Sequence, residues 1–537
     1  MRSKKLLASS AVILASAATL AACGSSSSQS SAKKQTLTWM NTAEMATLDA
    51  SKATDQASYE QINNIEEGLY LLGKNAKVQN ALATSTKNSA DGKTWTFTLR
   101  KNAKWSNGDP VTAQDFVYSW RRTIDPKTAS EYAYLFSGIK NADAIVSGKK
   151  KPAALGIKAD GKYKLTVTLE KRIPYFKLLM AFPLFFPQNQ KFIEKAGSKY
   201  ATSSKYMIYN GPYKQVGWTG SNLSWKLVKN DKYWDKKSVK LDTVKFSVQK
   251  TPSTDYNLYQ SGKLDAAYLD AQATKSLKGK TGYTQRKMST TQYLSYNIKK
   301  HPEFKNKNLR MAISMAINRK ELASTLGGAA TPATTFDPEG MTTVGGKDYT
   351  DTVKNAATEK ATTYNVKEAK KLYKQALKET GKKKISFTLL GDDDDTAKKA
   401  AEFVQSQLEN NLGIDVQVQS IPKKTRLTRM MSGNFDVVST GWNADFSDPI
   451  SFLDLQTTGA SYNYGKWSNK EYDKYVAASK TTGSDADRFK DLAKAEQILL
   501  EEQGVHPIEA WMVKPSVKGV IYNGAGANYS FKYVYLK

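Results

Sequence analysis

The chain has almost no cysteine. Cys23 is the single one in 537 residues, so no disulfide can cross-link the molecule and its fold must rest on its own core. A chain of this length buries most of the surface it exposes when unfolded. Length points to about three domains, and a 40% hydrophobic, 11% aromatic composition is that of a globular protein. Histidine is nearly as scarce. His301 and His506 are the two, and a Ser-His-Asp triad or a His-rich metal site would have to recruit one of them. Each precedes a proline, Pro302 or Pro507, and both are read as surface residues. There is no HExxH zinc motif. The nearest approach to a phosphate loop, residues 340–347, fails: Met341 stands where the spacing needs glycine, and Asp348 follows Lys347 in place of Ser or Thr. Acids are plentiful, so counting them leaves a glycosidase-type carboxylate pair open.

Acids are nevertheless outnumbered, 50 Asp and Glu against 80 Lys and Arg, for a net charge of +30. The lysines are scattered and no nucleic-acid motif accompanies them. They are read as a solvated basic surface beside an anionic envelope, and nucleic acid is not an expected partner. The run of four acids at 392–395 lacks the alternating ligand spacing of an EF-hand loop. It reads as a solvated loop whose charge favours the N-terminus of the helix after it. No metal and no cofactor are expected. Beyond residue 22 no apolar run is long enough to cross a bilayer.

The first residues are another matter. Arg2, Lys4 and Lys5 precede an apolar stretch, 6–22, diluted by Ser9, Ser10, Ser16 and Thr19 and ending in Leu20-Ala21-Ala22-Cys23-Gly24. Basic start, short apolar middle and small residues at the cut make 1–22 a secretory signal peptide; a membrane span needs about 20 strongly apolar residues. Leu-Ala-Ala-Cys-Gly also resembles the lipobox of bacterial lipoproteins, which are cut before the cysteine and acylated on its thiol. The resemblance implies a diacylglycerol anchor on Cys23, stronger than the single acyl chain that holds only marginally. It places the protein on the extracytoplasmic face of a bacterial cell membrane. Residues 23–35 then form a lipidated tether; the stretch 25–34 (SSSSQSSAKK) cannot pack a core and is expected to be disordered.

Further on, 35–40 (QTLTWM), 93–100 (KTWTFTLR), 163–169 (YKLTVTL) and 239–248 alternate like strands. A helix begins near Thr112, where Thr112 and Asp115 match a capping box and Phe116, Val117 and Trp120 make the apolar face. From Lys384 the order is strand 385–390, helix 396–412 with Ala400, Phe403, Val404 and Leu408 on one side and Gly413 as its stop, strand 414–418, short helix 424–431, strand 435–440. That β-α-β-α-β order implies parallel pairing, and ligands bind beyond the carboxyl ends of such strands. The loop expected just past the third strand, 441–449 (GWNADFSDP), falls at that crevice. Asp445, among Trp442, Phe446 and Pro449, is a candidate anion for a cationic ligand group; the residues alone leave a turn or helix-cap role equally open.

Several segments carry a family resemblance: 104–120 (KWSNGDPVTAQDFVYSW) continuing through 125–130 (DPKTAS) to Tyr134, then 210–213 (NGPY), 230–234 (NDKYW), 308–312 (NLRMA) running to Asn318-Arg319, and 441–445 (GWNAD). In order and spacing they resemble the oligopeptide-binding proteins of ABC importers, the extracytoplasmic solute-binding proteins of family 5, over essentially the whole mature chain. The resemblance implies an α/β, two-lobed periplasmic-binding-protein-like fold of type II with an additional third domain. Lobe I would be discontinuous, from 36–66, 191–292 and 510–537, with the additional domain II at 67–190 and lobe III at 293–509. It implies a monomeric receptor without catalysis that captures oligopeptides between its lobes and hands them to an ABC permease. Asp445 would pair with the peptide's α-ammonium. Gly441, Trp442, Asn443 and Ala444, with Thr54, Asp55 and Gln56, would bond the extended peptide backbone as an added strand does.

The chain also departs from that pattern. Lys423 stands where the best-matched oligopeptide binders carry a pocket tryptophan, and Ser439 and Ala397 where they carry Arg and His near the peptide's C-terminus. Length preference is therefore not carried over, and longer peptides are expected to fit. The alternatives are another solute on the same fold (a peptide pheromone, a metal complex, haem or a sugar) or a surface adhesin.

Overall fold

The computed structural model describes residues 35–537 except 75–76, 287, 327–330, 482–483, 501–504, 507–508, 524 and 526–527. The signal peptide, Cys23 and the tether through residue 34 lie outside the described residues, as does the side chain of His506.

Strand β1 (Thr36–Asn41) leads to helix α1 (Gln56–Ile65). Asp55 starts that helix: its carboxylate accepts the Ser58 N–H at 2.9 Å and the Ser58 hydroxyl at 2.6 Å, which satisfies a donor the helix leaves open. Strands β2 (Ala83–Asn88), β3 (Thr94–Leu99), β4 (Ile157–Ala159) and β5 (Lys164–Thr168) form an antiparallel sheet ordered β2-β3-β5-β4. Helix α2 (Ala113–Ile124) begins at the expected box, with Asp115 accepting the Thr112 N–H at 2.7 Å, and it buries Phe116, Val117 and Trp120. The chain then returns. Strands β6 (Tyr213–Val216), β7 (Ser224–Lys229) and β8 (Thr243–Val248) complete a sheet ordered β1-β8-β7-β6, in which β1 and β8 run parallel. The β8 strand is shorter than its pattern predicts; Val239 and Leu241 are buried ahead of it, outside the ladder. The core under this sheet joins Trp39, Leu227 and Phe246 with Phe531 from near the C-terminus. Residues hundreds of positions apart thus share one apolar cluster.

A five-stranded sheet carries the rest. It is built from β9 (Thr290–Tyr296), β10 (Ser386–Asp392), β11 (Asp415–Ile421), β12 (Val437–Asn443) and β13 (Val505–His506), ordered β11-β10-β12-β9-β13. Helix α3 (Asp395–Leu412) joins β10 to β11, and α4 (Lys423–Met431) joins β11 to β12. The expected parallel pairing is present: β10 pairs in parallel with β11 and with β12. Gly413 ends α3 at φ +67°, a left-handed cap that glycine adopts without strain. The buried face of α3 is Ala401, Val404, Leu408 and Leu412. It is turned from the expected stripe, leaving Ala400 and Phe403 half-buried at its edge.

Three expectations need correction. Strand β12 runs to Asn443, so Gly441, Trp442 and Asn443 belong to a strand and not to a loop; antiparallel pairing with Thr290, Thr291 and Gln292 of β9 holds them extended. His301 is not a free surface residue, for its ring nitrogens stand 3.3 Å from Glu303 and 3.1 Å from Asp436. The acid run is not simply solvated either. Asp394 caps α3, and Asp392 and Asp393 are ion-paired. Among the described residues no helix is long and apolar enough to cross a membrane.

Candidate ligand-binding site

A cavity of about 380 Å³ opens at the carboxyl ends of the parallel strands. One wall comes from the five-stranded sheet and its helices, another from the chain around β1, α1 and the end of β8, and Tyr132 and Phe182 add a third side. Of the eight predicted site residues, Thr54, Asp55, Gln56, Gly441, Trp442, Asn443 and Asp445 line it. Ala444 does not. It is fully buried, and its N–H already donates to the Ser289 carbonyl at 2.8 Å. The Asp55 side chain is engaged in capping α1, and the Asn443 side-chain oxygen accepts the Thr290 hydroxyl at 2.7 Å.

The edge of β12 explains why this wall can receive an extended ligand. Its partner β10 pairs with it at Val437 and Val438 and then diverges. Ser439 to Asn443 keep β9 on one side while the other side faces the cavity. A strand edge of that kind presents unpaired N–H and C=O groups to whatever lies beside it. Gly441 also keeps the wall thin: a Cβ there would lie 2.5 Å from the Gln292 side chain across the ladder.

Asp445 follows the strand directly. It is 6% exposed. Its N–H donates to Ser451 Oγ at 2.8 Å, and its Oδ1 accepts the Tyr132 hydroxyl at 3.2 Å. Its Oδ2 is buried and has no hydrogen-bond partner among the described residues. Burial pushes this carboxyl well above its usual range, against the Tyr132 hydrogen bond. A charged carboxylate held this way costs several kcal/mol when uncompensated, so the site either keeps a proton or takes a cation. Aromatic rings close around it. Tyr132 stacks on Trp442 at 6.0 Å, Tyr462 meets Trp442 edge-on at 4.8 Å, and Tyr59 meets Tyr132 at 5.8 Å. Their faces exclude water and favour positive charge.

Tyr59, Tyr132 and Tyr462 were not singled out by the sequence. Tyr132 lies inside the family-like stretch 125–134, which marks the place without marking the contact. Nor was the charge pairing around the cavity legible. Lys250, just past β8, stands 3.3 Å from Glu44 and 3.2 Å from Asp393 at the end of β10. Arg426 of α4 grips Asp392 at 2.5 and 3.2 Å. Among the described residues no group of three or more His, Cys, Asp or Glu side chains could hold a metal ion.

Two lobes with an extra domain, closed on a cavity that ends in a half-satisfied buried carboxylate, define a binding protein that encloses its ligand. The chain belongs to the bacterial extracellular solute-binding proteins, family 5, whose model matches residues 77–464. It is 38% identical over 516 residues to a dipeptide-binding protein of Lactococcus lactis subsp. cremoris, covering 92% of this chain and 93% of that one. It is 32% identical to the oligopeptide-binding protein OppA of Bacillus subtilis, over 94% and 93% of the two chains. Among solved structures, Listeria monocytogenes OppA bound to peptide superposes with a TM-score of 0.89 at 40% identity, covering 94% of this chain and 99% of that one. The unliganded open form of the murein tripeptide-binding protein MppA superposes at only 0.64, with 31% identity and coverage of 94% and 98%. The lobes here are thus arranged as in the peptide-bound relative.

Proposed function

We propose that the protein is an extracytoplasmic receptor that captures oligopeptides between its lobes and delivers them to an ABC permease. The observation that carries this reading is the free Oδ2 of Asp445. An α-ammonium is the one charge every unblocked peptide carries at its start, and it is the group this oxygen lacks. The peptide lies extended along the open edge of β12, bonding main chain to main chain. Because both lobes touch the ligand only when closed, binding favours the closed form, and the permease reads that form. The relatives' dipeptide and oligopeptide ligands support the assignment.

Finer features belong to the same reading. Lobe I comprises 36–66, 191–292 and 510–537, domain II 67–190, and lobe III 293–509; the apolar cluster shared by Trp39, Leu227, Phe246 and Phe531 supports the discontinuous first lobe. The protein acts as a monomer without catalysis. A lipid on Cys23 holds it to the outer face of the cell membrane, so Cys23→Ala should release it to the medium with peptide affinity intact. Calorimetry with free and N-acetylated forms of one peptide tests the central claim. Acetylation should cost most of the affinity; equal affinities would refute the ammonium reading.

A further inference from the structure

The helix Val366–Thr380, which leads into β10, carries one sign of charge on its outer face. It buries Ala369, Tyr373 and Ala376 and packs on the helix Lys307–Ala316. At 3.6 residues per turn, Lys367, Lys370, Lys371, Lys374 and Lys378 fall on a single stripe about 16 Å long, and all five are exposed. Three more exposed lysines, 382–384, carry the charge on toward the start of β10, at the end of the sheet opposite the cavity. Acids do not answer them. Glu368 and Glu379 are the two acids in 366–384. Glu379 accepts hydrogen bonds from Asn306, Asn308 and Gln375, and Glu368 lies 3.6 Å from Lys360 and 3.9 Å from Lys371. Lys367, Lys370, Lys374 and Lys378 have no carboxylate within 4.0 Å among the described residues. Nor does the spacing serve the helix. Lys367 with Lys371, Lys370 with Lys374 and Lys374 with Lys378 are like charges four residues apart, an arrangement that weakens a helix. On α3, by contrast, the exposed Lys398 and Lys399 stand beside Glu402.

We propose that this stripe is a docking surface for a linear phosphodiester polyanion of the polyol-phosphate type, laid along the helix with its charges beside the lysines. The inference is independent of the peptide reading, for no residue of this helix lines the cavity. Charge complementarity sets the partner's sign, and the shape of the stripe sets its form. It is narrow and straight, which suits a single chain. A helix that lies in a bilayer surface needs its apolar face free to enter the lipid, and here that face is spent on the protein core. The cations are lysines throughout. A lysine ammonium is a compact point charge without the fork that fits arginine to one carboxylate or phosphate in a fixed geometry. It tolerates sliding and exchange among repeated monoanionic phosphates, and a polyanion would also relieve the repulsion between neighbouring lysines. The stripe thus holds the body of the protein against such a polymer while the cavity stays open to its own ligand.

The test is fluorescence anisotropy with end-labelled poly(glycerol phosphate). Neutralising about five phosphates gives a log–log salt slope of about −3.5 on the single-strand scale, so wild-type affinity should fall about 100-fold between about 50 and 200 mM salt. The stripe variant Lys367→Gln/Lys371→Gln/Lys374→Gln/Lys378→Gln should lose most of that binding and flatten the slope by about 3. A control, Lys149→Gln/Lys151→Gln/Lys162→Gln/Lys164→Gln, removes the same charge from exposed positions elsewhere and should bind as the wild type does. No wild-type binding at about 50 mM salt, or equal losses in the two variants, would overturn the proposal; the second result would assign the effect to net charge alone. Vesicles of phosphatidylglycerol form another arm. If they bind with the same dependence on the stripe and the polymer does not, the partner is a bilayer and the polymer assignment is wrong. Glutamine is a good helix former, so the stripe variant should melt at or above the wild-type temperature and keep the wild-type affinity for trialanine. Earlier melting would show that the lysines support the fold, which would also overturn the proposal.

Discussion

Replacing Asp445 with Asn should abolish tight peptide binding while leaving the fold untouched. The substitution keeps size and shape. The side-chain oxygen can still accept from the Tyr132 hydroxyl, now 3.2 Å away, and the backbone bond to Ser451 does not involve the side chain. Only the charge is lost, and with it the partner of a buried ammonium. Removing one member of a buried ion pair costs about 3–5 kcal/mol, which is roughly two to three and a half orders of magnitude in Kd. The ligand-free protein should not suffer. Its Oδ2 has no partner to lose, so the melting temperature should hold or rise. Calorimetry at neutral pH, set beside thermal unfolding without ligand, separates the two readings of this residue. An Asp445→Asn protein that binds within tenfold of the wild type, or that melts early while binding normally, would show that the carboxylate is structural. Acid gives a second handle. Protonating Asp445 should weaken wild-type binding as pH falls, and the Asn variant should show no such dependence.

Other perturbations have equally definite outcomes. Lys250→Met removes two half-exposed ion pairs that tie Glu44 to Asp393 across the cavity. At about 0.2–1 kcal/mol each, peptide affinity should fall only a few-fold, with a weaker salt dependence; a hundredfold loss would mean that Lys250 touches the ligand. Arg488, in helix α5 (Asp485–Leu500), forms a buried two-point pair with Asp448 at 2.6 and 2.9 Å, just beyond the Asp445 turn. Arg488→Leu strands the Asp448 charge and should cost about 3–5 kcal/mol in urea unfolding, whereas the double change Arg488→Leu/Asp448→Leu should recover much of it; equal losses would refute the pairing argument. Burial pushes the carboxyls of Glu60 up to about 8, Asp255 to about 7 and Asp115 to about 6. Each binds its proton more tightly folded than unfolded, so stability is full below the ordinary carboxylate range and declines as pH climbs to about 8. The melting temperature of the ligand-free protein should be higher at mildly acidic than at mildly alkaline pH, and the opposite trend would rule this out.

Local pattern carried far in this chain. The capping box at Thr112 and Asp115, the glycine stop at Gly413 and the β-α-β-α-β order after Lys384 are decided by neighbours a few residues apart, and a reader of the sequence sees those neighbours. The same order pointed to a crevice at the strand ends and to Asp445 within it. The errors came where distant segments intervene. Gly441 to Asn443 carry glycine and asparagine, which read as loop, yet Thr290 to Gln292 hold them in a strand. The acid run at 392–395 reads as solvated because Arg426 and Lys250, its partners, lie far off in sequence.

By itself the sequence determined the class of fold and the likeness to family 5 across nearly its whole length, and it marked Asp445 as a candidate anion. Only the tertiary structure decided which charges remain unspent. Pairing depends on distances of a few ångströms between segments that composition and order do not relate. Lys250 stands between Glu44 and Asp393 and Arg426 grips Asp392, whereas the buried Oδ2 of Asp445 is left without a hydrogen-bond partner among the described residues.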